Sequence, residues 1–281
     1  MNDASVALGV AIFIWWFSTG IVILLNRMSR TTVVLSLALS SLLGVASLVG
    51  LAHTAQQTGV AGAYCAFTCA LLAWGWNELS FLTGWITGPR TTALPQGAIG
   101  WQRFVQSLRA VLWHELAILL VGCAIVAITW DAPNQVGTGT YLVLWIMRTS
   151  AKLNLFFGVR NLSEEFLPAH LAYLESFFRR RRLNAFFPFA VALASVCLWW
   201  LVSYASSPFA SQAQAVGAVL VGTMLALAIL EHLMLVLPLD TTALWRWALR
   251  KKKSEGDAFD AHAAPVLAPT LDKHDKLFQI H

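Results

Sequence analysis

Apolar runs of about bilayer-spanning length alternate along the chain with short polar connections. A helix crossing the hydrocarbon core needs about 20 apolar residues. Seven runs meet that length, near 6–25, 33–52, 60–86, 107–130, 138–158, 188–206 and 213–237. The connections alternate in charge. Arg27 and Arg30 follow the first run, and Arg90, Arg103 and Arg109 surround the third connection. Arg160 and Arg179 to Arg182 occupy the fifth, and Arg246 to Lys253 begin the tail. The even connections, 53–59, 131–137 and 207–212, hold no Lys or Arg. Because basic residues stay on the cytoplasmic side, the odd connections and the C-terminus are expected inside and the N-terminus outside. The pattern thus predicts an all-α polytopic bundle of seven transmembrane helices over 1–250, N-out and C-in.

Composition narrows the class further. Of 281 residues, 58% are hydrophobic and 12% are charged, whereas ordinary globular domains are about 25% charged. A soluble domain is excluded. The net charge of +5 sits at segment ends rather than along one soluble face, which argues against nucleic acid as a partner. The segment before Val6 has Asp3 but no Lys or Arg, so the first run is expected to be a retained anchor rather than a cleaved signal. Cys65, Cys69, Cys123 and Cys197 all lie in apolar runs and read as packing residues. Trp85, Trp101, Trp130, Trp245 and Trp247 fall near run ends, as interfacial anchors do. Gly84 and Gly88 are spaced for a close helix contact.

Two segments depart from the alternation. In the fifth connection, Ser163 followed by Glu164 and Glu165 resembles a helix start. Leu167, Leu171, Leu174 and Phe178 then recur at helical spacing up to Arg179, Arg180, Arg181 and Arg182. An amphipathic interfacial helix near 163–182 is expected, its four arginines a basic patch facing anionic lipid. Residues 251–281 are polar and rich in Lys, Asp and Pro, and are expected to form a disordered cytoplasmic tail.

Candidate chemistry lies in the few ionisable groups inside apolar runs: Glu78, His114 with Glu115, and Glu231 with His232. Placing such a group in hydrocarbon costs about 2.5–3.5 kcal/mol on insertion scales, so it usually faces protein. Arg148, Lys152 and Asn154 add polar groups in the fifth run, and all of these fall in the inner-leaflet half of their runs by residue count. Four readings stay open. In the first, the carboxylates neutralise Arg148 and Lys152 and hold the bundle together. In the second, Glu78, His114, Glu115, Glu231 and His232, with Glu164, Glu165 and His170 folding over them, form a di-iron or di-manganese centre. Adjacent Glu-His pairs lie about 100° apart on a helix, however, so one member of each pair faces away. In the third, His114 or His232 ligates the magnesium of a bacteriochlorophyll-type tetrapyrrole, with Ala110 or Ala228 one turn earlier leaving room for the ring. The fourth is proton-coupled transport. Phosphate-binding glycine loops, dinucleotide fingerprints and the H-E-x-x-H zinc motif are absent.

Several unusual strings carry a resemblance: FIWWFSTG at 13–20, the run from VAGAYCAF to WITGPR at 60–90, HEL at 114–116 and APNQVGT at 132–138. MRTSAKLNLFFGVRNLSEEFLPAHLAYLESFFRRR at 147–181 and EHLMLVLPL at 231–239 continue it. Together they resemble the PuhE family of photosynthetic complex assembly proteins over Ile12 to Ala248. The resemblance implies a multi-pass protein of the bacterial inner membrane that assists assembly of the reaction centre and its light-harvesting complex. Its genes lie near that of the reaction-centre H subunit, and an influence on bacteriochlorophyll supply is implied. Membrane lipid, reaction-centre or antenna subunits and other assembly factors are the implied partners. The family brings no catalytic residues. The alternative from another class is a metal-dependent membrane oxidase or hydroxylase acting on a lipophilic substrate.

Overall fold

The computed structural model describes residues 3–26, 28–162, 166–237 and 244–249. Its long helices are α1 (Asp3–Leu25), α2 (Arg30–Thr54), α3 (Val60–Leu82), α4 (Gly100–Ile128), α5 (Val136–Phe157), α6 (Phe186–Ala205) and α7 (Gln212–Met234), with a short α8 (Arg246–Leu249) at the end. Each long helix coincides with one of the apolar runs read from sequence. The expected tail, 251–281, lies outside the described residues.

Local chemistry explains the helix starts. Ser211 and Gln214 form a capping box at α7: Ser211 Oγ accepts from the Gln214 amide and Gln214 Oε1 accepts from the Ser211 amide. Ser29 accepts from the Thr32 amide at the start of α2. Asn184 caps α6, its Oδ1 accepting from the amides of Phe186 and Phe187 at 3.0 Å each.

Five helices, α1, α2, α4, α6 and α7, are long and apolar enough to cross a membrane. The two that fall short, α3 and α5, have the length but carry Asn77 and Glu78 in one case and Arg148, Lys152 and Asn154 in the other. The packing accounts for this. Helices α3, α5 and α7 contact one another, while α2 lies on α3, α6 on α7, α1 on α7 and α3, and α4 on α5, α2 and α3. The most apolar stretch of α7 is 56% buried, against 11% in α1, α2 and α6. Helices that face other helices can hold polar groups in pairs, whereas helices facing lipid cannot.

Two sequence expectations are corrected. The expected close helix contact of Gly84 and Gly88 is not made from a helix face, because α3 ends at Leu82. Gly84, at φ +80°, turns the chain out of the helix. Gly88 lies against the backbone of Arg109 and Ala110 in α4, where any Cβ would collide. The Arg90 amide donates to Arg109 O at 3.3 Å and the His114 amide to Thr87 O at 2.9 Å. The segment after α3 is thereby sewn along α4.

The expected interfacial α-helix over 163–182 is likewise replaced, in the described residues, by a 3-10 helix at Ala169–Phe177. Its buried residues are Leu171, Leu174 and Phe177, a spacing of three that matches three residues per turn. Pro168, with extended backbone, stops any α-helix from running through it. Beyond the 3-10 helix the chain runs alongside the end of α5. The Arg179 amide donates to Leu155 O, Val159 N to Arg179 O and Arg181 N to Val159 O, all at 3.0–3.1 Å. These bonds satisfy backbone groups that the end of α5 would otherwise leave orphaned.

Candidate functional site

Helix α5 gathers the intramembrane polar residues. Arg148 and Lys152 are four residues apart and so share one face of α5. Arg148 Nη2 donates to Glu78 Oε2 of α3 at 2.9 Å. Lys152 Nζ donates to Glu115 Oε1 of α4 at 2.6 Å. Ser150, two residues from each, points away from that face and meets His232 of α7, its Oγ 2.9 Å from Nε2. Three different helices are thus tied to one.

The geometry also resolves the adjacent pairs, for in both of them the histidine is the buried member. His232 is enclosed, and its other ring nitrogen lies 2.9 Å from Ala228 O in the preceding turn. Glu231 is exposed on another side of α7 and accepts from Trp15 Nε1 of α1 at 2.9 Å. His114 is fully buried, stacked on Phe81 of α3 with ring centroids 4.3 Å apart. Among the described residues, neither of its ring nitrogens has a hydrogen-bond partner. Glu78 Oε1 and Asn77 Oδ1, on α3, are likewise buried and unpartnered among the described residues. Buried polar atoms without partners are rare enough to require an explanation, such as an internal water or a ligand.

The di-metal reading, one of the four that the sequence leaves open, finds no ligand cluster among the described residues. No three His, Cys, Asp or Glu side chains there come together in a way that could hold a metal ion. The physical reason is that each acid is already engaged elsewhere: Glu78 with Arg148, Glu115 with Lys152 and Glu231 with Trp15. His170 does not fold over the cluster. It is exposed, and its Nε2 lies 2.9 Å from Leu82 O, at the end of α3. Glu164 and Glu165 lie outside the described residues. Of the run Arg179 to Arg182, the last three are exposed and Arg179 is half-buried.

Sequence reasoning missed several polar residues. Asn77 Nδ2 donates to Tyr141 Oη at 3.0 Å, and that hydroxyl donates to Ile118 O at 2.9 Å, joining α3, α5 and α4. Asn184 Nδ2 donates to Asn154 Oδ1 at 3.0 Å and to Gly158 O at 2.9 Å. These residues are uncharged, so no electrostatic anomaly in the sequence marks them. The S-x-x-Q pattern at Ser211 was the one available signal.

A bundle of long helices, five of them apolar enough to cross a membrane, tied by ion pairs at the α3–α5 and α4–α5 seams, is a membrane protein of the helical-bundle class. Within that class, the chain belongs to the DUF3623 family, described as "Protein of unknown function", which matches residues 1–256. It is 36% identical over 275 residues to an "Uncharacterized 30.4 kDa protein in puhA 5'region" of Rhodobacter capsulatus, a match covering 95% of this chain and 97% of that protein. No solved structure matches it.

Proposed function

We propose that the chain is a PuhE-type assembly factor of the bacterial inner membrane, with seven crossings and N-out/C-in orientation, acting on the photosynthetic reaction centre and its antenna. The observation that carries this reading is the near full-length relative from Rhodobacter capsulatus, whose description places it in the puhA 5' region. In the bundle, Glu78 and Glu115 are each engaged by a cation of α5, an arrangement suited to holding helices together. The orientation is supported by the absence of Lys and Arg from the even connections.

Bacteriochlorophyll handling fits one of the two histidines. His232 has both ring nitrogens engaged, by Ala228 O and Ser150 Oγ, and does not fit an axial ligand. His114 keeps both nitrogens unpartnered among the described residues, so it is the residue that would hold a tetrapyrrole magnesium. To do so it would leave its stacking contact with Phe81, and the pigment would then meet the bundle near the α3–α4 seam.

Deleting the gene in a phototrophic host and recording near-infrared absorption tests the role. The expected result is a lowered reaction-centre and antenna content that the wild-type gene restores; unchanged spectra would overturn the reading. Full restoration by His114→Ala would remove the pigment contact and leave assembly standing.

A further inference from the structure

At the end of the bundle where α4 begins and α5 finishes lies an open cleft of about 420 Å³. Trp101, Arg103 and Phe104 of α4, Phe156 and Phe157 of α5, and Arg179 line it. The electrostatics are one-sided. Arg103 is 4% exposed, yet among the described residues no carboxylate pairs with it or with Arg179 or Arg181. Its neighbours are cations, for the guanidiniums of Arg179 and Arg181 lie close enough to repel it.

Protein groups hold the Arg103 guanidinium without neutralising it. Nη2 donates to Phe156 O at 2.8 Å and to Phe177 O at 2.5 Å, and the guanidinium carbon sits 3.9 Å from the centre of the Phe156 ring. The carbonyls and ring fix its orientation. Among the described residues, the N–H groups on Nε and Nη1 take no acceptor, which leaves half of the fork for a ligand. Burying a lone cation is costly and breaks even only when an anion shares the site. A planar guanidinium held beside a second one is the arrangement that binds a phosphate oxygen pair.

The remaining wall is apolar. Trp101 is 76% exposed and stacks on Phe104 with ring centroids 5.2 Å apart, while Phe157 stands exposed on the other side. A free inorganic anion makes no use of exposed aromatic rings, whereas an amphiphile uses both halves of the cleft. The geometry points to a binding site for the phosphodiester headgroup of an anionic glycerophospholipid, with Arg103 and Arg179 on the phosphate and the first acyl carbons against Trp101 and Phe157. The inference needs only that the bundle sits in a membrane, and it stands apart from the assembly role proposed above.

The test uses the full-length protein purified in mild detergent, equilibrated with equal amounts of phosphatidylglycerol and phosphatidylcholine, and read by native mass spectrometry. The wild type is expected to retain one phosphatidylglycerol per chain in preference to phosphatidylcholine. Arg179→Gln, at a half-buried position that leaves Arg103 in place, is expected to lower that retention about tenfold, the loss of one charge-assisted contact. Trp101→Ala is expected to weaken it too. Equal retention of the two lipids, or retention by Arg179→Gln at the wild-type level, would overturn the site. Displacement of the lipid by millimolar inorganic phosphate, with Trp101→Ala indistinguishable from wild type, would overturn the lipid assignment in favour of a free phosphate.

Discussion

Glu115 and Glu231 each adjoin a histidine, on different helices, yet their environments differ in kind. Glu115 accepts from an ammonium at the α4–α5 seam, and Glu231 accepts from a neutral indole on the bundle's side. Glu115→Gln leaves Lys152 with a weaker, uncharged partner, and a drop of about 3 kcal/mol in stability is expected. Glu231→Gln keeps an oxygen for Trp15 Nε1, and a change below about 1 kcal/mol is expected. Thermal unfolding of the two variants in the same detergent compares them directly. Ser150→Ala takes away the acceptor or donor opposite His232 Nε2 and is expected to lower stability by about 1 kcal/mol in that assay. At this scale the sequence was legible as a set of unusual residues but not as pairs. The cost of an acid in an apolar run identified Glu78 and Glu115. Their partners depend on which faces of α3, α4 and α5 meet, and periodicity along one helix does not contain that. The neutral partners Trp15 and Ser150 are unremarkable in sequence, since indoles and hydroxyls are common in membrane helices.

Among the elements, α3 and α5 are each closed by the segment C-terminal to them. The stretch from Gly84 to Arg90 returns along α4, and Gly88 permits the approach by lacking a Cβ. The end of α5 is closed by the Arg179 and Arg181 amides and by Asn184, which also caps α6. Asn184→Ala removes the cap and the bond to Asn154 together, and a loss of about 1–3 kcal/mol is expected, read as a lower unfolding midpoint. On the other flank, α8 docks on α1. Trp245 Nε1 donates to Trp16 O at 3.1 Å, and Trp247 occupies the space that a side chain on Gly20 would fill. Gly20→Leu is expected to displace Trp247 and expose the segment 244–249 to limited proteolysis, whereas Gly9→Leu, which meets open space, leaves the cleavage pattern unchanged. Helix positions were readable from run length, although Asn77 and Glu78 in α3 and Arg148, Lys152 and Asn154 in α5 lower the hydropathy of two of them. The 3-10 helix was not, because Leu171 and Leu174 fit a spacing of either 3.0 or 3.6, and the decisive residues, Pro168 and Phe177, act through a break and a buried contact.

Across the described bundle, α3 and α5 pack against other helices and carry Glu78, Arg148 and Lys152 at their seams, so hydropathy alone undervalues them, while the apolar α7 is the most enclosed of the five. A charge facing lipid is costly alone, and the seams of α5 with α3 and α4 are where Glu78 meets Arg148 and Glu115 meets Lys152. The bundle is therefore expected to depend on charge neutrality within it more than on any bound ion, and removal of divalent metals by chelation is expected to leave its unfolding midpoint unchanged. The measurement that bears most directly on this account is a double-mutant cycle on Glu115 and Lys152, with unfolding followed in detergent for Glu115→Gln, Lys152→Met and the two combined. The expected result is that each single change destabilises strongly, while the combined variant loses clearly less than the sum, because neither charge is then left alone. Losses that simply add would contradict it and would show the two side chains to be stabilised separately.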